Sequence, residues 1–254
     1  MKILVCGKGG SGKSTVTALL AKSIADKGYN VLVVDSDESN FGLHRQLGLE
    51  LPEDFMNFLG GKKSLVEKMM GAMKKGGKPE LFEDNWNIAD IPRPYVASRG
   101  NISMVSVGKI HDFGEGCACP MGALAKHFLK NINTGNRDFV LVDTEAGVEH
   151  FGRGVEEGCD LILMVLDPSY ESIRLSEKVA ELCDRAGKKL HFIFNKVDGS
   201  GRTAMLGAVG EERVLSIIPP SDELFQAGLA GREFDVFLPE IEFIVGSLIS
   251  GESS

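Results

Sequence analysis

The residues Gly7-Lys8-Gly9-Gly10-Ser11-Gly12-Lys13-Ser14-Thr15 have the types and spacing that hold phosphate. Glycines let the backbone curl so that successive N–H groups face phosphate oxygens, and the positive end of a following helix adds to the attraction. Lys13 is expected to meet the β- and γ-phosphates, and the Ser14 hydroxyl to ligand Mg2+. An apolar run, Ile3-Leu4-Val5, precedes the loop, and a helical pattern through Val16 and Leu19-Leu20 follows it. That strand–loop–helix setting makes the whole run from Gly7 to Thr15 an expected nucleoside-triphosphate site.

Carboxylates stand where such a site needs them. Val31-Leu32-Val33-Val34 ends in Asp35-Ser36-Asp37, and Phe139-Val140-Leu141-Val142 ends in Asp143. Acids at the carboxyl ends of sheet strands lie where ligands of open α/β sheets bind. Those after the first strand can hold Mg2+ through water or orient the attacking water, and Asp143 reads as the carboxylate on the metal. The run Thr144-Glu145-Ala146-Gly147-Val148-Glu149-His150 can sense γ-phosphate by reshaping its backbone. His150 is expected to be a hydrogen-bonded residue at a helix start.

A second kind of chemistry sits in Gly114-Glu115-Gly116-Cys117-Ala118-Cys119-Pro120. A disulfide within so short a loop would be strained, so thiolate metal binding or redox chemistry is expected in a reducing compartment. Two sulfurs cannot complete a four-thiolate site in one chain. A two-fold axis beside the loop would bring four together, at Zn–S distances of about 2.3 Å. Four sulfurs also suit square-planar Ni(II), Cu(I) or an iron–sulfur cluster. His111 and Glu115 read as surface residues.

The loop with its extra lysine, Lys8, resembles the deviant P-loop of the MinD, ParA, arsenite-pump and nitrogenase-iron-protein class of ATPases. The resemblance implies that Lys8 reaches across a dimer to the partner's phosphates, and that Asp37 is a catalytic residue of the first switch segment. Asn195-Lys196-Val197-Asp198 has the shape of the guanine-reading N-K-x-D tetrad. In the deviant-loop class the matching asparagine instead binds adenine together with a later proline segment. Asn195, Lys196, Pro219 and Pro220 are therefore expected around the base of ATP or ADP.

With the C-x-C loop included, the chain is similar to the CooC family, ATPases that help insert nickel into carbon monoxide dehydrogenase or acetyl-CoA synthase. That resemblance implies a homodimer whose paired Cys117 and Cys119 bind Ni2+ or Zn2+, with nucleotide coupled to dimerisation and a nickel enzyme as client. Two other readings stay open. One is an iron–sulfur carrier or reductase of the nitrogenase-iron-protein or Mrp type; the other is a MinD- or ParA-like positioning ATPase.

The elements that must position these groups follow from the alternation of apolar strands and helical patterns. It predicts one doubly wound α/β P-loop domain over residues 1–254, its central sheet mostly parallel and flanked by helices. An insertion is expected at about 41–100, and the metal loop at about 108–120. Within the insertion, Leu65, Val66, Met69, Met70 and Met73 mark one face of a short helix among Lys62, Lys63, Lys68, Lys74, Lys75 and Lys78, read as a solvated basic face. A net charge of −8 argues against nucleic acid and anionic membranes as partners. The chain has no run near the roughly 20 apolar residues of a membrane span. Its last residues, from Pro239, lack Lys and Arg, so no basic amphipathic anchor is expected. No signal peptide is expected ahead of the first strand either. Five cysteines at uneven spacing suggest no disulfide framework. These features together point to the cytoplasm.

Overall fold

The structure is a computed structural model that describes residues 1–74, 81–82, 85–110 and 119–251. Cys117, His111 and Glu115 lie outside the described residues, as do Lys75 and Lys78; Cys119 is described by its backbone alone.

Strand β1 (Lys2–Gly7) runs through the glycine loop into α1 (Lys13–Asp26), which returns to β2 (Asn30–Asp35). Residues Ile3–Cys6 and Val31–Val34 are all buried, as continuous apolar strands covered on both faces must be. Next come the single turn α2 (Leu43–Gln46) and α3 (Gly61–Lys74), then a short hairpin of β3 (Ala97–Arg99) and β4 (Ile102–Ser106). Helix α4 (Cys119–Asn131), β5 (Asp138–Asp143) and the short α5 (Glu149–Arg153) lead to β6 (Leu161–Leu166). The chain closes with α6 (Tyr170–Ala186), β7 (Lys189–Asn195), α7 (Gly199–Val209), β8 (Val214–Ile218), α8 (Asp222–Leu229) and α9 (Pro239–Ser250).

The eight strands form one sheet in the order β3-β4-β2-β5-β1-β6-β7-β8, parallel throughout except for the β3–β4 pair. Chain order reverses around β1, which pairs with β5 on one side and β6 on the other. The loop after β1 therefore opens at the switch point, where such sheets bind ligands. Alternate residues of β1 serve opposite cores. Leu4 and Cys6 face α4, α6 and α7; Ile3 and Val5 face α1 and α9. Each fully buried aliphatic side chain contributes about 1.5–3 kcal/mol.

Several boundaries differ from expectation. Helix α3 is longer than the marked apolar face, with Leu65 fully buried and Lys63, Lys68 and Lys74 exposed. Helix α4 begins at Cys119, one residue before Pro120, because proline suits the first helical turn. Strand β3 and helix α7 were not anticipated. The stretch between β2 and β3 is not a loose appendage: Phe55 is fully buried, with its ring 4.8 Å from that of Phe128 on α4. Among the described residues no helix is long and apolar enough to cross a membrane.

Candidate nucleotide site

The glycine loop has a backbone that only glycines can supply at two points. Gly7 and Gly12 have φ of +146° and +98°; a Cβ would lie 2.3 Å from Val165 O at the first and 2.2 Å from Asn195 Nδ2 at the second. The loop closes on itself where Ser11 N–H donates to Lys8 O at 3.1 Å and Val16 N–H to Gly12 O at 2.9 Å. Helix α1 has no acidic residue in its first turn, so its positive end is uncompensated and favours an anion. Lys13 is buried, and its ammonium makes a long 3.4 Å bond to Lys8 O. Ser11 Oγ is buried with no hydrogen-bond partner among the described residues. A buried ammonium and an orphaned hydroxyl beneath curled N–H groups fit a phosphate chain.

The magnesium end assembles around Ser14. Its hydroxyl donates to Asp143 Oδ2 at 2.6 Å and accepts from Asn40 Nδ2 at 2.7 Å, while Thr17 Oγ1 donates to Asp143 Oδ1 at 3.4 Å. Burial pushes the Asp143 carboxyl up to about 6, against the Ser14 hydrogen bond and the Lys13 charge. Asp37 lies at the same end, but its Oδ1 accepts from Ser39 N–H at 2.9 Å and Ser39 Oγ at 2.6 Å, so in this state it is turned into its own loop. Among the described residues no three His, Cys, Asp or Glu side chains group into a metal site. One hydroxyl and one or two carboxylates suit Mg2+, which takes its other ligands from phosphates and water. The donor set fits Mg-nucleotide.

At the other end of the loop lies a cavity of about 440 Å³ lined by Thr15, Asn195, Lys196, Pro219, Pro220 and Phe234, among others. Asn195 Nδ2 donates to Ser11 O at 2.8 Å, and Lys196, at φ +61°, donates from Nζ to Gly10 O at 2.9 Å. Both thus brace the phosphate loop from the cavity side. Asp198 is outside the cavity. Its Oδ1 caps α7, accepting from Ser200 N–H at 3.1 Å and Gly201 N–H at 3.0 Å. The acid that would read guanine is committed elsewhere, which favours adenine.

Lys8 is held by its own chain, with Nζ 3.0 Å from Asp167 Oδ2 beyond β6. His150 corrects an expectation: it is 2% exposed, and neither ring nitrogen has a hydrogen-bond partner among the described residues. Burial, with the Lys13 and Arg153 charges, pushes its pKa down to about 3.

Lys109 went unnoticed in sequence. Its side chain is fully buried, with Nζ 2.6 Å from Asp35 Oδ2 and 2.6 Å from the carbonyl oxygen of Asp37. Burial pushes the Asp35 carboxyl up to about 7, opposed first by Lys109. The available signal was a lysine three residues past a strand end, beside a neighbouring strand that ends in acids. Asn40 was missed because its role depends on a fold-back to Ser14.

Comparison with known proteins extends the geometry. Residues 2–234 match the family model described as the CobQ/CobB/MinD/ParA nucleotide binding domain. An uncharacterised ATP-binding protein of Methanocaldococcus jannaschii is 51% identical over 96% of this chain and 98% of its own. The carbon monoxide dehydrogenase accessory protein CooC of Rhodospirillum rubrum is 34% identical over 78% of this chain and 74% of its own. Among solved structures, the septum site-determining protein MinD of Pyrococcus horikoshii, complexed with Mg-ADP, superposes with a TM-score of 0.70 at 19% identity, covering 100% of this chain and 98% of the other.

Proposed function

The chain belongs to the CobQ/CobB/MinD/ParA nucleotide-binding family as a P-loop ATPase, and we propose that it uses ATP to control a thiolate metal site that delivers nickel to a client enzyme. In this reading Gly7–Thr15 bind the phosphates, and Ser14, Asp143 and Asp37 hold Mg2+. Asn195, Lys196, Pro219 and Pro220 enclose the base. Bound Mg2+ supplies charge neutralisation at the β- and γ-phosphates. Lys13 holds the transferring phosphoryl group, and Asp37, once released from Ser39, orients water. Two chains close around nucleotide with Lys8 reaching across, and paired Cys117 and Cys119 bind the cargo ion.

The observation that carries this reading is the anchoring of both ends of the thiol-bearing segment. Before it, Ile110 N–H donates to Glu38 O at 3.1 Å, on the segment after β2. After it, the stem of Arg153 on α5 lies against Gly122 of α4, where a Cβ would come within 2.3 Å of Arg153 Cδ. Arg153 also pairs with Glu145, just past Asp143. The described residues on either side of positions 111–118 are thus tied to the segments that follow β2 and β5, the segments expected beside nucleotide. The similarity to the Rhodospirillum rubrum accessory protein supports carbon monoxide dehydrogenase, or acetyl-CoA synthase, as the client.

The test is activation of nickel-free carbon monoxide dehydrogenase by nickel-loaded protein. Activation that needs hydrolysable ATP supports the proposal; equal activation with free nickel alone contradicts it. A stable brown chromophore after anaerobic iron and sulfide reconstitution would point to cluster transfer instead.

A further inference from the structure

The Lys109–Asp35 pair lies apart from the phosphate-loop contacts and the Ser14–Asp143 contacts described above. Its side chains are 0% and 1% exposed, and removing two charges from water costs enough that such pairs are weak devices for stability alone. The geometry shows a second use. From the segment after β4, Lys109 crosses to the segment after β2 and grips it twice, at the Asp35 carboxylate and the Asp37 carbonyl. Val107 N–H donates to Asp35 O at 2.9 Å and Ile110 N–H to Glu38 O at 3.1 Å. Phe41 covers the ammonium from outside, its ring centre 5.8 Å from Nζ. The backbone of Lys109 has a separate anchor: Asp54 accepts from Lys109 N–H at 3.2 Å and from Ser106 Oγ at 2.9 Å. The main chain is therefore secured without the ammonium, which is left to hold residues 35–37.

We infer that Lys109 is a positioning residue that fixes the backbone of Asp37 for hydrolysis and links the 35–38 segment to the root of the thiol-bearing segment. The grip on the Asp37 carbonyl sets where that residue's carboxylate swings when it leaves Ser39. Movement of residues 35–38 on nucleotide binding is carried to Lys109 and Ile110, the last described residues before the thiol-bearing segment. The link rests on the nucleotide-coupled thiol reading above.

Lys109→Met tests it, with Lys109→Met/Asp35→Asn as the variant that leaves no unpaired buried carboxylate. Each is measured for nucleotide affinity with a fluorescent ATP analogue, for kcat, and for alkylation rate of its thiols with ADP or a non-hydrolysable ATP analogue. Cys6, Cys159 and Cys183 are buried, and burial raises all three thiol pKa values, so alkylation reports on Cys117 and Cys119. The expected result for the folded double variant is unchanged nucleotide affinity and kcat lower by about 100-fold, the scale of an ångström-level misplacement. Its alkylation rate should be the same with either nucleotide, where the wild type distinguishes them. A double variant that keeps wild-type kcat and nucleotide-dependent alkylation overturns the inference, as does a loss of affinity in proportion to kcat. A wild type indifferent to nucleotide would overturn the thiol-coupling reading itself.

Discussion

Lys8 Nζ lies 3.0 Å from Asp167 Oδ2 of its own chain. A lysine that serves a partner's phosphates must leave this carboxylate, so the ion pair opposes dimer closure. Both side chains are partly exposed, at 30% and 18%, and such pairs are worth about 0.2–1 kcal/mol. Asp167→Asn should therefore strengthen ATP-dependent dimerisation by only a few-fold. Lys8→Ala should abolish the dependence of turnover on protein concentration while sparing nucleotide affinity. Sedimentation velocity and kcat over a protein dilution series check both; equal loss of affinity and turnover in Lys8→Ala would remove the trans role.

Asn40 should matter to metal rather than nucleotide. It donates to Ser14 Oγ and so orients the hydroxyl expected on Mg2+. Removing such outer partners typically costs about 10–100-fold in metal affinity. Asn40→Ala is expected to raise the Mg2+ concentration needed for hydrolysis by that factor. Nucleotide affinity in EDTA should not change; a drop there would mean that Asn40 shapes the loop itself.

Base selection separates Asn195 from Asp198. Asp198 caps α7, so Asp198→Ala should lower the melting temperature by loss of the cap and leave the ratio of ATP to GTP affinity untouched. Asn195→Ala should weaken both nucleotides, because Asn195 braces Ser11 O beside the base cavity. Thermal melts and nucleotide competition distinguish the two; a changed ATP-to-GTP ratio in Asp198→Ala would return the acid to the base site.

His150 predicts an acid-sensitive step in stability. Burial pushes its folded pKa down to about 3, from the ordinary histidine value of 6.5. Below 6.5 the unfolded chain takes up a proton that the folded chain refuses, so stability is full above 6.5 and falls as pH drops toward 3. His150→Leu should lose this component. Chemical denaturation at several pH values should show the wild type losing stability relative to the variant as pH falls from 6.5 toward 3; parallel curves would place a partner on the imidazole.

Legibility in sequence followed separation along the chain. The β1–loop–α1 unit was readable because strand, glycines and Lys13 are contiguous and each residue type has one strong physical use. The mostly parallel sheet followed from unbroken apolar runs such as Val31–Val34. The Lys109–Asp35 pair was hidden because 74 positions separate its members, and nothing local marks a lysine as buried. Helix α7 was hidden by Gly199, Gly201 and Gly207, poor helix formers, and by assigning its cap, Asp198, to base reading. His150 departs from expectation because a histidine at a helix start usually finds a hydrogen-bond partner, whereas here burial favours the neutral ring and neither nitrogen has such a partner among the described residues.

On the function proposed above, nucleotide assembles one cargo site from two chains. Equilibrium dialysis of Ni2+ against wild type and Cys117→Ser/Cys119→Ser, with a non-hydrolysable ATP analogue or ADP, tests it most directly. The predicted result is one ion per two chains with the ATP analogue, weaker binding with ADP, and none in the double variant. Unchanged stoichiometry in the variant, or one ion per chain regardless of nucleotide, would contradict it.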